Sequence, residues 1–319
     1  MDDIRPCISC HGACRPLGNL NGKGTDFDLS HIEMGHCVLN PWTFNEEKYR
    51  LDKTTKPLHI AVIGGGIGGM EFAIEASKRG HTVDLYEKTD HFGGVFNAAA
   101  APSFKEKDRE LLKWYEKKLR ESSTRIHLNT EVKNLKDIQA DEYVIATGSV
   151  TRHLSLKGAE RSITALDYLY GLKEVKGKVA VIGGGLTGCE IAYDLALKGY
   201  EVSVIEMMDS LVGAKGICSA NSTMLRDLLD YHKVNKYLSA KTKEITKDAV
   251  IIEAEGKVIS VPADTVITSI GYNSDKTFAP DPKDKKTNIH LIGDCDHVGS
   301  LKTVIKQAYE LAQELSYRK

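Results

Sequence analysis

Short apolar runs followed by glycines form the most regular pattern in the chain. The run at residues 59–63 lies between a proline and a cluster of glycines, which predicts a buried strand followed by a turn. Residues 70–79 carry apolar positions at helical spacing, and Gly80 supplies a helix stop. Residues 82–86 then predict a second strand, which ends at Glu87. The pattern thus predicts a strand, a glycine turn, a helix and a second strand.

The same order of elements returns between residues 178 and 206. Gly183 lies 119 positions after Gly64, and Glu206 lies 119 positions after Glu87. The repeat of a whole βαβ module at one offset predicts two nucleotide-binding units of the same build. The expected fold class is therefore α/β, with two Rossmann-like domains.

Length, charge and apolar content narrow the class of protein further. As a soft prior, 319 residues suggest two domains of roughly 150 residues each. The formal net charge of −1 gives no sign of a nucleic-acid or membrane-surface partner. No apolar run approaches the ~18 residues of a spanning helix, and residues 1–6 do not resemble a secretory signal. We therefore expect a cytoplasmic protein with no membrane and no nucleic-acid partner.

The first glycine cluster fits a dinucleotide, because it follows a strand and opens a helix. Gly64 permits the tight turn, Gly66 lets a pyrophosphate approach the backbone, and Gly69 lets helix and strand pack closely. The start of the helix supplies free N–H groups and the positive end of its dipole for the phosphates. Glu87 is placed to accept hydrogen bonds from ribose hydroxyls. These four residues are the predicted centre of the first site.

Four later stretches resemble motifs of the flavoprotein reductases that contain two dinucleotide-binding domains. They are residues 87–94, 129–132, 141–148 and 289–294. The resemblance implies that FAD is the first ligand. It also implies that the FAD-binding domain is discontinuous, since its last motif lies beyond the second glycine cluster. The further FAD-binding residues that it implies are Lys88, Gly94, Val132, Thr147, Gly148, Gly293 and Asp294.

The second glycine cluster consists of Gly183, Gly185 and Gly188, and in the resembling reductases this site takes the nicotinamide nucleotide. We expect NADH rather than NADPH, because the carboxylate of Glu206 bonds a free 2′-hydroxyl but repels a 2′-phosphate. The resemblance also places Glu190 near the contact between nicotinamide and flavin. An ordinary acid near the start of a helix is an equally good interpretation of Glu190. No other catalytic residue is predicted, because the flavin carries the chemistry.

Four of the seven cysteines lie in the first 37 residues, in a segment with little apolar periodicity. Cys7, Cys10 and Cys14 are close together and Cys37 is distant, a spacing that is typical of an iron–sulfur site. A structural zinc site, which more often uses two separate CxxC pairs, is the alternative. A disulfide framework is not expected in a reducing compartment. These four cysteines are the predicted metal ligands.

Residues 4–10 and 37–41, together with the flavin motifs, resemble one family across essentially the full chain. The chain is similar to the C-terminal portion of the 2,4-dienoyl-CoA reductase, 2-enoate reductase and trimethylamine dehydrogenase family. This resemblance implies a 4Fe–4S cluster on the four cysteines, with hydride passing from NADH to FAD and single electrons passing on through the cluster. The chain departs from the family in a longer gap before the fourth cysteine, which suggests an inserted loop around residues 21–36.

The second departure is the absence of the family's N-terminal FMN-binding barrel, which carries the FMN and the substrate acid. We therefore expect an NADH-dependent FAD/4Fe–4S module that works with an FMN-barrel subunit, or with a missing barrel domain, to reduce an enoate-type C=C bond. One alternative is a self-contained NAD(P)H reductase for ferredoxin or a small acceptor. Another is a non-catalytic nucleotide-binding scaffold with a structural metal site.

The expected division of the chain has three parts. Residues 1–55 form an irregular iron–sulfur segment. Residues 56–155 and 265–319 form the discontinuous FAD-binding domain, and residues 156–264 form the nicotinamide nucleotide-binding domain. The two domains are expected to be nested three-layer α/β domains.

Overall fold

The structure, a computed structural model, describes residues 3–12, 14, 36–214, 217–280 and 288–317. These residues form two units that each contain a five-stranded parallel sheet, and the second unit is inserted in the chain of the first. The arrangement confirms the α/β class with two Rossmann-like domains.

Fifteen strands are present in the described residues. In chain order they are β1 (His59–Ile63), β2 (Thr82–Tyr86), β3 (Arg125–His127), β4 (Glu142–Ile145), β5 (Ser149–Thr151), β6 (Ile163–Thr164), β7 (Val179–Ile182), β8 (Val202–Ile205), β9 (Asn235–Tyr237), β10 (Ala240–Ile245), β11 (Ala249–Ala254), β12 (Lys257–Pro262), β13 (Thr265–Thr268), β14 (Tyr272–Ser274) and β15 (Ile289–Leu291). The α-helices are α1 (Ile67–Lys78), α2 (Phe96–Ala99), α3 (Glu106–Glu121), α4 (Ala165–Leu169), α5 (Leu186–Leu197), α6 (Ser219–Tyr231) and α7 (Leu301–Ser316).

The first unit is built on the sheet β15–β4–β1–β2–β3, in which every pairing is parallel. Its main core lies between this sheet and the helices α1, α3 and α7, and the strands contribute Ile60, Val62 and Leu85 to it. Every residue of α1 from Ile67 to Ala76 is buried, because the sheet and the other helices surround this helix. Strands β4 and β15 are neighbours in space, although the second unit separates them in the chain.

The second unit is built on the sheet β6–β13–β7–β8–β9, which is also parallel throughout. Helices α5 and α6 cover one face, where Ile191 and Leu225 join the core. The antiparallel sheet β10–β11–β12 covers the other face through residues such as Val250. The second unit therefore has three layers.

The boundary that we expect between residues 264 and 265 lies at the start of β13. This strand pairs with β7 over Thr265–Thr268, so it belongs to the second sheet. The chain then returns to the first unit through a short antiparallel ribbon of β5 and β14. The return therefore begins about where β14 starts, at Tyr272.

The described part of the cysteine segment consists of residues 3–12, Cys14 and residues 36–55. This part contains turns and bends but no helix or strand. Its apolar residues, such as Ile8 and Leu39, pack against the core of the first unit. The segment therefore combines a few turns of its own with packing against the unit beside it.

The loop that we expect around residues 21–36 lies outside the described residues, apart from His36 at its end. Among the helices that the structure describes, none combines the length and the apolar content needed to cross a membrane.

Candidate functional site

The first glycine turn is closed by contacts that only glycine permits. Gly64 has a φ of +111°, and a Cβ at this position would lie 2.4 Å from the carbonyl oxygen of Ala146. A Cβ on Gly69 would lie 1.9 Å from the carbonyl oxygen of Gly64. Gly66 differs, since no heavy atom lies within 4 Å of the position of its Cβ. The turn is therefore tight on its protein side and open at Gly66, where a pyrophosphate would approach.

The carboxylate of Glu87 lies against this turn, at the end of β2. Its Oε2 atom accepts a hydrogen bond of 2.7 Å from the N–H of Gly65, and its Oε1 atom accepts one of 2.8 Å from the N–H of Thr89. The residue is buried. No described side chain caps the start of α1, so its first N–H groups are available to an anion. The turn, the helix start and the acid thus form one cradle.

Of the next three residues expected around FAD, only Gly94 is in contact with the glycine turn. Gly94 has a φ of +53°, and its Cβ position lies 3.3 Å from the Cα atom of Gly66. Lys88 is exposed beside Glu87, and the half-buried Val132 packs against the smaller core on the other face of the sheet. These residues come from the loops that follow β2 and β3.

The ends of β4 and β15 complete the same edge of the sheet. Thr147 and Gly148 follow β4, and Gly148 has a φ of +80° with no heavy atom within 4 Å of its Cβ position. Asp294 follows β15, and it accepts hydrogen bonds from Ser149 Oγ at 3.2 Å and from the N–H of Gly299 at 3.1 Å. The N–H of Gly293 donates to Gln307 on α7 at 2.8 Å. The return of the chain therefore brings Asp294 beside the loop after β4.

The second glycine turn repeats the first, contact for contact. Gly183 has a φ of +106°, and its Cβ would lie 2.2 Å from the carbonyl oxygen of Ser269. A Cβ on Gly188 would lie 1.9 Å from the carbonyl oxygen of Gly183, whereas the Cβ position of Gly185 has open space around it. Glu206 again lies against the turn. Its carboxylate accepts hydrogen bonds of 2.5 Å from the N–H of Gly184 and 2.8 Å from the N–H of Met208.

Glu190 lies on α5 and forms an ion pair with the first unit. Its Oε1 atom is 2.5 Å from the Nζ atom of Lys105, which precedes α3. Burial raises the pKa of Glu190, and the positive charge of Lys105 opposes that rise. One turn further along α5, the ring of Tyr193 lies 5.0 Å from the ring of Phe104. Lys105 was not predicted from the sequence, because no local pattern links it to a residue so distant in the chain.

Cys10 lies close enough to the other three cysteines of the N-terminal segment for them to affect its pKa. Burial raises the pKa of Cys10, and the charges of Cys37, Cys14 and Cys7 add to the rise. Cys7 and Cys14 are exposed, Cys10 and Cys37 are half-buried, and none of them forms a disulfide in the described residues. The N–H of Ser9 donates to the sulfur of Cys7 at 3.4 Å.

Four thiols on an irregular backbone are a donor set that suits an iron–sulfur cluster. No group of three or more His, Cys, Asp or Glu side chains is gathered tightly enough for a metal ion in the part of the chain that the structure describes. The cluster therefore stays a prediction. The second unit also contacts this segment, since Asn221 on α6 donates to the carbonyl oxygen of Cys10 at 3.3 Å.

A family model described as pyridine nucleotide-disulphide oxidoreductase matches residues 58–313. The cinnamate reductase of Clostridium sporogenes is 36% identical over 317 residues, which are 98% of this chain and 46% of that protein. The NADH oxidase of Thermoanaerobacter brockii is 29% identical over 330 residues, which are 99% of this chain and 48% of that protein. The chain thus spans about half the length of these relatives.

A solved structure of 2-naphthoyl-CoA reductase in complex with 2-naphthoyl-CoA is similar along the same extent. Its TM-score is 0.84 at 26% sequence identity, and the similarity covers 98% of this chain and 46% of that chain. These similarities support FAD and a nicotinamide nucleotide as cofactors, and they support oxidoreductase activity. The chain belongs to the pyridine nucleotide-disulphide oxidoreductase family.

Proposed function

We propose that this chain takes hydride from NADH onto FAD and passes the electrons through a 4Fe–4S cluster to an FMN-barrel partner. The observation that carries the proposal is the repetition of one dinucleotide cradle, with a cysteine segment packed against the unit that holds the first copy. One cradle would hold a dinucleotide that stays bound, and the other would hold a dinucleotide that exchanges. The cysteines provide for one-electron transfer.

FAD fits the first cradle. The open sides of Gly66 and Gly148 leave room for the ligand, and the uncapped start of α1 suits its phosphates. Glu87 would hold the ribose hydroxyls, and Asp294 would hold the ribityl chain. When bound, FAD supplies an acceptor for hydride and a donor of single electrons. The other residues of this site are Gly64, Gly69, Lys88, Gly94, Val132, Thr147, Gly148 and Gly293.

NADH fits the second cradle, with Gly183, Gly185 and Gly188 at its pyrophosphate. Glu206 would accept hydrogen bonds from the free hydroxyls of the adenosine ribose. The two residues that follow it are methionines, and the first of them, Met207, is 72% exposed. A 2′-phosphate would therefore meet the carboxylate of Glu206, and the two residues after Glu206 offer no positive charge. This favours NADH over NADPH.

The cysteine segment packs against the core of the first unit, the unit that would hold FAD. Cys10 and Cys37 pack against the same core as Leu112 of α3. The side chain of Leu112 in turn lies against Gly93, next to Gly94 of the cradle. A cluster on Cys7, Cys10, Cys14 and Cys37 would thus be connected to the flavin through packed protein rather than through solvent.

The electron acceptor is proposed from the relatives. The cinnamate reductase and the 2-naphthoyl-CoA reductase are about twice as long as this chain, so the module here corresponds to half of each. We infer that an FMN-barrel subunit or domain supplies the other half and reduces an enoate-type C=C bond. Free thiols in the segment suit a reducing compartment such as the cytoplasm.

A second candidate function is direct reduction of a small acceptor or ferredoxin without a barrel. The similarity to the NADH oxidase of Thermoanaerobacter brockii favours a small final acceptor, although that protein is also about twice as long as this chain. The two candidates share both cofactor sites and differ only in the last acceptor. They are separated by adding cinnamate and a candidate barrel protein to the NADH-reduced chain.

The decisive test is the visible spectrum of protein purified without oxygen and then titrated with NADH. We expect flavin bands above a broad cluster absorbance, and we expect NADH to bleach both. NADPH at the same concentrations is the control, and it should bleach the flavin more slowly. A colourless protein that contains zinc would exclude the proposed function.

A further inference from the structure

One arginine contacts both cysteine stretches and the first unit, which other residues of the segment, such as Asp3 and Tyr49, also contact. Arg5 lies two residues before Cys7, and its Nη2 atom is 3.0 Å from Oε2 of Glu71 on α1. The Nη1 and Nη2 atoms of Arg5 also lie 3.3 Å from Oε1 of Glu71, so the contact is bidentate. The Glu71 side chain is completely buried, and the Arg5 side chain is only 16% exposed.

The same guanidinium makes two further kinds of contact. It lies over the rings of Trp114 and Tyr115 on α3, with centroid distances of 4.5 Å and 5.4 Å. Its Nη1 atom donates a hydrogen bond to the carbonyl oxygen of Leu39, which lies two residues after Cys37. Arg5 therefore holds together the stretch that contains Cys7 and Cys10, the stretch that contains Cys37, and two helices of the first unit.

The surroundings of the Glu71 carboxylate suit an ion pair with this arginine. The hydroxyl of Tyr115 donates to its Oε2 atom at 2.8 Å. Burial raises the pKa of Glu71, and the charge of Arg5 opposes that rise. A buried ion pair is seldom needed for stability, since apolar side chains of similar size often serve as well. Its best-attested use is to specify one arrangement among several.

We propose that Arg5 is the positioning residue that seats both cysteine stretches on the first unit. Glu71 and the two aromatic rings form the seat, and the bond to Leu39 carries the position of Arg5 over to the second stretch. The purpose of this seating would be to fix the distance between the cluster and the flavin, and that purpose alone rests on the proposed function. Transfer of hydride from NADH to FAD does not depend on it.

The test measures the seating directly, in metal-free protein. The rates at which iodoacetamide alkylates Cys10 and Cys37 are followed by mass spectrometry in the wild type and in Arg5→Met. Loss of the anchor should raise both rates by at least about tenfold, because both thiols are half-buried only while the segment is seated. Arg120→Met is the matched control. Arg120 pairs with Glu116 on the exposed side of α3, and its loss should leave both rates unchanged.

A double variant separates seating from simple loss of stability. Arg5→Met leaves the buried Glu71 without its partner, whereas Arg5→Met with Glu71→Met removes both charges. The double variant should regain part of the thermal stability lost in Arg5→Met, since the buried hydroxyl of Tyr115 still lacks its acceptor. It should keep fast alkylation, since nothing bonds Leu39. Slow alkylation in the double variant, or in Arg5→Met itself, would overturn the proposal.

The cofactor-loaded protein gives an independent readout. After reconstitution with FAD, iron and sulfide, the double variant should show flavin reduction by NADH within about twofold of wild type and less bound iron per chain. Equal iron content in the two proteins would contradict the seating role. A wild-type chain that binds neither FAD nor iron would refute the proposed function, while the alkylation result would still decide the role of Arg5.

Discussion

Two glycines among the described residues have neither an unusual backbone angle nor a neighbour that would exclude a side chain. Gly66 and Gly185 have φ values of −70° and −68°, which every residue adopts, and their Cβ positions have nothing within 4 Å. Gly69 and Gly188, by contrast, are required by the backbone, because a Cβ on either would collide with a carbonyl oxygen. The first pair therefore points to something outside the chain that must approach closely.

This contrast makes a prediction about alanine variants. Gly66→Ala should weaken FAD binding by at least about tenfold, because the new methyl group would meet the ligand. The melting temperature of the FAD-free protein should not fall, since the methyl group has open space and alanine restricts the unfolded chain. Equilibrium dialysis and thermal unfolding measure the two quantities.

Gly185→Ala is the matched variant for the second cradle, and it should lower NADH affinity while FAD binding stays normal. Gly69→Ala is the opposite control, since it should destabilise the protein even without ligand. If Gly66→Ala bound FAD as the wild type does, the first cradle would not be the pyrophosphate site.

Glu206 decides the choice between the two nicotinamide nucleotides in our proposal. Glu206→Gln removes the negative charge but keeps an oxygen that can accept from Gly184. The ratio of NADPH affinity to NADH affinity should rise by about tenfold, because a charged acceptor is lost for NADH and a repulsion is lost for NADPH. Quenching of protein fluorescence by each nucleotide measures both dissociation constants. An unchanged ratio would mean that Glu206 does not face the ribose.

Helices and strands near the glycine turns were predictable because their signals are local. The apolar runs before Gly64 and Gly183, and the acids at the ends of the following strands, lie within one βαβ module. The allocation of β13 to the second sheet was not predictable in the same way. Thr265–Thr268 is a short apolar strand that would suit either sheet, and only its pairing with β7 assigns it.

The contact between α5 and the start of α3 is equally invisible in the sequence. Lys105 and Glu190 come from different units, and the residues between them include two whole strands of the second sheet. Of the charged groups acting on Glu190, Lys105 favours its ionised form and Asp108 disfavours it. The balance of these charges makes the contact between the two units sensitive to pH.

Removal of Lys105 should expose that sensitivity. In Lys105→Met, the pKa of Glu190 in the folded protein rises further above the ordinary value of 4.5, because burial is no longer opposed. The folded state then holds a proton that the unfolded state releases, so stability falls as pH rises from about 4.5 through the folded pKa. Relative to wild type, the melting temperature should drop by at least about 2–4 °C at neutral pH and less at pH 4.5.

Thermal unfolding across this pH range is the measurement. The double variant Lys105→Met with Glu190→Gln is the control, and it should lose the additional pH dependence because the titrating group is gone. A constant difference between Lys105→Met and wild type at every pH would show that the ion pair contributes nothing through the charge of Glu190.

The assembly of the parts was predictable only in outline. Two dinucleotide-binding units and an irregular cysteine segment follow from motifs, but how they touch does not. Arg5 with Glu71, Lys105 with Glu190, and Asn221 with Cys10 join stretches far apart in the chain. No local spacing or composition links the two partners of any of these contacts. Sequence patterns report what an element is, whereas such contacts depend on where the folded elements meet.

The neighbouring positions of β4 and β15 also constrain the order in which a ribosome-bound chain can fold. The second unit is continuous from β6 to β13, so it can complete its sheet as soon as those residues emerge. The first unit must wait for the stretch 288–317, which supplies β15, Asp294 and the helix that packs on α1. During synthesis the glycine turn that opens the first unit is made early, yet the proposed FAD site is complete only once residues 288–317 have emerged. FAD should therefore bind only after that stretch has left the ribosome.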